Sequence, residues 1–114
     1  MRIAYWCKEL LWRDKLKHII TQLGAEPVRV LNPMEIPTDI KADIVLLALA
    51  DLHALTKGSV PVIPTTIPLF GFFPHVEEHL QEFGAQLGCR AVSTRGAIER
   101  NLSLLMVELS CLNK

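Results

Sequence analysis

The run Ile44-Val45-Leu46-Leu47-Ala48-Leu49 constrains the fold of this chain more than any other stretch. A strand with one face in water alternates apolar and polar residues, whereas a strand covered on both faces is apolar throughout. Asp43–Leu49 therefore reads as a central strand of a parallel sheet. Parallel neighbours need long crossover connections, usually helical, so the flanking sequence must supply strands and helices in alternation.

It does so on both sides. Arg2–Cys7 is short, apolar and aromatic, and reads as a first strand. From Glu9 to Leu23 the period changes: Trp12, Leu16, Ile19, Ile20 and Leu23 recur at helical spacing, and Gly24 follows as a natural terminator. Val28–Leu31 predicts a second strand. Asn32-Pro33 is a helix-opening pair, but Pro37 limits any helix there to a turn or two. Asp51–Leu55 predicts a short helix, and Gly58, Pro61, Pro64 and Pro68 leave Val60–Ile67 extended or irregular. A strand over Pro68–Phe72, a helix over Pro74–Leu87, a strand over Ala91–Thr94 and a helix over Ala97–Leu112 complete the pattern. The predicted architecture is an α/β three-layer sandwich on a five-stranded parallel sheet of order 2-1-3-4-5, with shortened or irregular second and third crossovers.

A length of 114 residues supports one domain, residues 1–114. Twelve basic residues balance twelve acidic ones, so no broad field draws the chain to nucleic acid or an anionic membrane. No apolar run reaches the roughly 20 residues of a membrane span, and the N-terminus enters a strand at once, without a secretory pattern. Cys7, Cys89 and Cys111 lack paired spacing and read as reduced thiols, which predicts a cytoplasmic protein.

In a sheet of this order the carboxyl ends of the strands form the functional edge, here Cys7-Lys8-Glu9, Ala48 to Asp51, Phe73-Pro74-His75 and Thr94-Arg95-Gly96. Lys8-Glu9-Leu10-Leu11-Trp12 looks like a degenerate form of the acidic loop and helix start of response-regulator receiver domains. Gly71-Phe72-Phe73-Pro74-His75-Val76, followed by Leu87-Gly88-Cys89, is similar to a Gly-Phe-x-x-His-Val string in receiver-like proteins, and Thr94-Arg95-Gly96 falls where receivers place a lysine and a proline. The whole chain thus resembles a CheY-like receiver. That resemblance puts Cys7 and Lys8 at the acidic pair, Ala48 at the phospho-accepting aspartate, Phe73 at the hydroxyl residue and Arg95 at the lysine. Phosphoryl transfer depends on positioned charge, and magnesium on hard oxygen ligands. A methyl group cannot attack phosphorus, and a thiol beside an ammonium cannot hold magnesium. Phe73 is expected to fill the vacated pocket.

Asp51, three residues beyond Ala48, admits two readings: a substitute acceptor, or the N-cap of the short helix. His75 and His79 would share a helix face suited to zinc, but no third ligand is evident and no metal or other cofactor is expected. Cys7 beside Lys8 is either an activated thiolate or a half-buried small hydrophobe. The last helix carries a core stripe of Ile98, Leu102, Leu105, Leu109 and Leu112, with Leu104, Met106, Val107 and Cys111 as surplus apolar positions, which marks an interaction surface and a homodimer. The function expected is a non-catalytic pseudo-receiver, a phosphorylation-independent protein-interaction module in bacterial signalling or regulation. The alternative is a small flavodoxin-like enzyme or anion-binding domain using Cys7, His75 and Arg95.

Overall fold

The computed structural model describes residues 1–75 and 77–112. Five strands, β1 (Arg2–Trp6), β2 (Glu26–Arg29), β3 (Ile44–Ala48), β4 (Leu69–Phe73) and β5 (Ala91–Thr94), form one sheet of order β2-β1-β3-β4-β5. Every pairing is parallel. Four helices, α1 (Leu10–Gln22), α2 (Leu49–Leu55), α3 (Glu78–Leu87) and α4 (Ile98–Leu112), cover its two faces.

Each face has its own core. On one side, Leu16 and Ile20 of α1 and Ile98, Leu102 and Leu105 of α4 pack on Ile3, Tyr5, Ile44, Leu46, Phe70 and Phe72. On the other, Leu49 and Leu52 of α2 and Leu80 and Phe83 of α3 pack on Ala4, Trp6, Val45, Leu47 and Phe73. All five residues of β3 are buried, as its unbroken apolar run requires. Alternation within each strand divides it between the two layers, since successive side chains point to opposite faces.

The second and third crossovers are indeed irregular. Residues 30–43 contain no helix; the Asn32-Pro33 signal gives a single turn in which Asn32 Oδ1 accepts from the Met34 N–H at 2.9 Å. Val30 and Ile36 fill part of the second core from this connection. After α2 the chain runs without helix or strand to β4, and Ile63 seals the same core. β2 lies over Glu26–Arg29, earlier than the apolar stretch implied, because Glu26 to Arg29 pair with Arg2 to Tyr5 and Gly24 turns tightly after α1 at φ 83°. Helix α3 begins at Glu78 instead of Pro74: Glu77 has extended backbone and its carbonyl takes the first amides, from Leu80 and Gln81.

Gly71 has a packing role. A Cβ there would lie 2.7–2.8 Å from the Leu49 side chain, which would have to shift for α2 to stay seated on β4.

Candidate functional site

Parallel pairing aligns the carboxyl ends of the strands and decides which side chains share the rim. Trp6 pairs with Leu47, Ala48 with Phe72, and Phe72 with Ser93. Cys7, Ala48 and Phe72 therefore belong to one layer, on the α1/α4 face, and all are buried. Ser93 ends the row, buried; its Oγ accepts from Asn101 Nδ2 of α4 at 2.9 Å and donates to the Thr94 carbonyl at 2.9 Å.

Two expectations need correction here. The ring beside Ala48 is that of Phe72; Phe73 pairs with Thr94 and lies in the opposite core with Trp6, Leu47 and Leu80, so it does not fill the space above Ala48. Asp51 is not the cap of α2. Ala48 occupies that position without a side-chain bond, and Asp51 sits in the first turn with its carboxylate directed at the β1–α1 loop. Its Oδ2 accepts from the Lys8 N–H at 2.9 Å and lies 3.7 Å from Cys7 Sγ.

The loop Cys7-Lys8-Glu9 is held from three directions. Besides Asp51, Arg13 donates from Nε to the Cys7 carbonyl at 3.1 Å and from Nη2 to the Lys8 carbonyl at 3.2 Å. Arg95, from the 3-10 turn Arg95–Ala97 after β5, pairs through Nη2 with Glu9 at 2.7 Å. The same guanidinium lies 4.5 Å from the Trp12 ring centre, and Trp12 in turn lies 6.2 Å from Phe72. Arg95, Trp12 and Phe72 thus stack from the rim down into the row holding Ala48. Each carboxylate near the rim is engaged, Glu9 by Arg95 and Asp51 by the Lys8 amide.

Burial pushes the Cys7 thiol up to about 11; the Asp51 charge and its hydrogen bond add to the rise, while a backbone hydrogen bond at Glu9 and the Arg95 charge oppose it. At neutral pH this sulfur is a protonated small hydrophobe, the blander of its two readings. Burial likewise raises Cys89, to about 12. For the alternative set of Cys7, His75 and Arg95, burial favours the protonated thiol and the arginine is paired with Glu9. His75 is exposed and contacts Glu77, its Nε2 3.0 Å from Oε1. His75 and His79 do not share a helix face, because His75 precedes α3; they flank the Glu77 carboxylate from opposite sides. Among the described residues no three His, Cys, Asp or Glu side chains gather as a metal site, and no described helix is long and apolar enough to cross a membrane.

On α4, Leu104 and Val107 are 59% and 60% exposed, and Cys111 is exposed as well. At steps of three and four they make one outward stripe. Met106 does not belong to it: it packs against the α1/α4 core beside Leu109. Leu112 has no described side chain.

Three solved structures share this architecture. A response regulator CheY-like protein from Mesorhizobium loti superposes with a TM-score of 0.67 at 13% identity, covering 95% of this chain and 97% of its own. The fold is that of CheY-like receivers. A CheY-like protein (tadZ) from Pseudomonas aeruginosa matches this receiver fold with a TM-score of 0.64 at 15% identity, over 96% of this chain and 98% of that one. A putative pilus assembly-related protein from Burkholderia pseudomallei gives 0.65 at 11%, over 97% and 90%. No family model and no curated protein matches the sequence.

The rim of this receiver fold also contains groups the sequence did not single out. Phe72 and Phe73 point to opposite faces as successive strand residues must, and only the pairing register decides which of them lies beside Ala48. Arg13 reads as part of a solvated basic face in α1, yet it returns to brace the loop that precedes its own helix.

Proposed function

We propose that the chain is a pseudo-receiver: a non-catalytic, phosphorylation-independent interaction module of bacterial signalling or regulation that presents one constant surface to a protein partner. The observation that carries this reading is the buried row Cys7–Ala48–Phe72, whose side chains offer no hard oxygen to a magnesium ion and no nucleophile to a phosphoryl group. The two nearby carboxylates, Glu9 and Asp51, are already committed to Arg95 and to the Lys8 amide.

A receiver switches because a phosphoryl group rearranges the rim. In this chain the Arg95–Trp12–Phe72 stack and the braced β1–α1 loop take up the rim with internal contacts. Such an arrangement favours one conformation, and hence steady docking. We assign the docking surface to the outward stripe Leu104, Val107 and Cys111 on α4, with a second copy of the chain as its partner. Two of the structural neighbours, one described as a response regulator and one as pilus assembly-related, place the same fold in different settings, which suits a docking scaffold better than a common reaction.

The direct test is incubation with acetyl phosphate and magnesium, followed by intact-mass measurement and by sedimentation with and without the phosphodonor. The expected result is no mass gain and an unchanged association state. A hydroxylamine-sensitive phosphoryl adduct at any carboxylate would overturn the proposal.

A further inference from the structure

A cavity of about 290 Å³ opens at the carboxyl ends of β1 and β2, between the β1–α1 loop and the turn after β2. This is near the lower end of the size of small-molecule pockets. Its lining includes Lys8, Arg13 and Arg29 and no carboxylate, in a chain whose formal charges balance overall. Lys8 and Arg29 form no ion pair with any described residue. Glu35 and Asp39 lie in a separate depression on the far side of Arg29 and make no ion pair with it either. Arg13 is held in place by its bonds to the Cys7 and Lys8 carbonyls, so its orientation is set before any ligand arrives.

The cavity also has neutral donors. Tyr5 lines it, is 5% exposed, and its phenol has no hydrogen-bond partner among the described residues. The charges of Arg29 and Arg13 both act on that phenol, with Asp14 of α1 acting in the opposite sense. Burial keeps it protonated, and therefore a donor. Asn32 uses its Oδ1 on the Met34 amide, which leaves the side-chain NH₂ for other partners. Leu31 and Leu55, both exposed, supply apolar walls at the mouth. A phenol donor and three cations, with no carboxylate in the lining, make the cavity receptive to an anion.

We propose that this cavity binds a small organic anion, a phosphate joined to a compact apolar group, with Arg29, Arg13 and Lys8 on the phosphate, Tyr5 and Asn32 donating to it, and Leu31 and Leu55 against the apolar part. The site is separate from the Ala48 row, and it stands whether or not the docking role does. Binding neutralises charge on the loop that Asp51 and Arg13 hold, so it couples an anion to the rim without covalent chemistry.

The test is a ¹⁵N–¹H shift titration of the full chain with phenyl phosphate at low ionic strength, with phenol as the uncharged control. Saturable shifts are expected at the amides of Lys8, Val30, Leu31 and Asn32, with phenol and the R29Q variant each at least about tenfold weaker, as loss of one charge-assisted contact implies. R29Q replaces an exposed side chain, so its fold is checked by the unchanged spectrum outside the site. Non-saturating shifts, shifts spread over Lys15, Lys17 and other surface cations, equal affinity for phenol, or an R29Q variant that binds as tightly would each overturn the assignment.

Discussion

Replacing Ala48 with aspartate supplies the phospho-accepting group that the receiver resemblance places at that position, and its energetic consequence separates a sealed rim from a dormant one. Ala48 is 4% exposed and lies between Cys7 and Phe72 in an apolar row. Most donors nearby are occupied, the Lys8 amide by Asp51, Arg95 Nη2 by Glu9, and Arg13 by two carbonyls, while the buried Arg95 Nε has no partner among the described residues. A neutral carboxyl group there costs about 1–3 kcal/mol as an unpartnered polar group, with overpacking against Phe72 adding a further cost of roughly 1 kcal/mol or more. Ionisation costs more, because burial and the Asp51 charge both raise the new group above the ordinary carboxylate value of about 3.9. The native state then holds its proton more tightly than the unfolded chain does. Stability therefore falls as pH rises, by about 1.4 kcal/mol per pH unit between the unfolded and folded values. Urea unfolding at pH 5 and pH 7 measures this directly, and A48D should lose up to about 2.7 kcal/mol more at the higher pH, a large share of the roughly 5–15 kcal/mol available to a domain. Magnesium should not restore it. If A48D is equally stable at both pH values, gains stability with magnesium and beryllofluoride, or accepts a phosphoryl group from acetyl phosphate, then the rim retains a working cation site and the reasoning fails.

Other outcomes follow from the same contacts. L104E with V107E should weaken self-association in sedimentation while leaving the melting temperature within a few degrees, whereas M106E should cost on the order of 1–3 kcal/mol of stability because that side chain packs on the core; equal effects from both would remove the distinction between face and core. Maleimide labelling at pH 8 should reach exposed Cys111 first, with Cys7 and Cys89 slow because burial raises both thiols, to about 11 and about 12; preferential labelling of Cys7 would revive the activated-thiolate reading. Since the Cys7 thiol is neutral when folded, its contribution to stability is intact below its unfolded value and is lost as pH climbs toward about 11, so C7A should lose less stability than the parent chain between pH 8.5 and pH 10.5, taken as a roughly chosen window. G71A should destabilise by about 1–3 kcal/mol through its contact with Leu49, and L49A should relieve part of that strain in a double-mutant cycle.

Much of the fold was legible because it rests on a few period-setting residues. The unbroken run of β3 required cover on both faces, and Leu16, Ile20, Ile98, Leu102 and Leu105 marked the helix faces that provide half of it. Proline placement revealed the short crossovers. What could not be read was the rim. Whether Phe72 or Phe73 joins Ala48 depends on where β4 begins, and a one-residue change in register exchanges the two faces. Likewise Asp51 before Leu52-His53-Ala54-Leu55 has the sequence of a cap, but α2 opens three residues earlier with Ala48 at the cap position, and the Asp51 carboxylate points toward the Lys8 amide.

Under the pseudo-receiver proposal, that register dependence bears on what phosphoryl chemistry would need at this rim. Removing the acceptor aspartate alone would leave a polar cavity with unbalanced donors, an expensive state in a buried row. Here the apolar side chains of Cys7 and Ala48 sit beside the ring of Phe72, and a cation and a carboxylate of the rim pair with each other, Arg95 with Glu9. Arg95 retains the positive charge expected at its position but spends it on Glu9 and on the Trp12 ring. A single reversion at Ala48 therefore restores the nucleophile without its surroundings. Recovering phosphoryl chemistry would require at least a magnesium-binding carboxylate at Cys7 or Lys8, and relief of the ring at Phe72, in the same molecule. The combined variant A48D/C7D/F72T should take up phosphate only if these groups were the whole of what was lost; continued inertness of a folded triple variant would locate the remaining block in the Arg95–Glu9 closure.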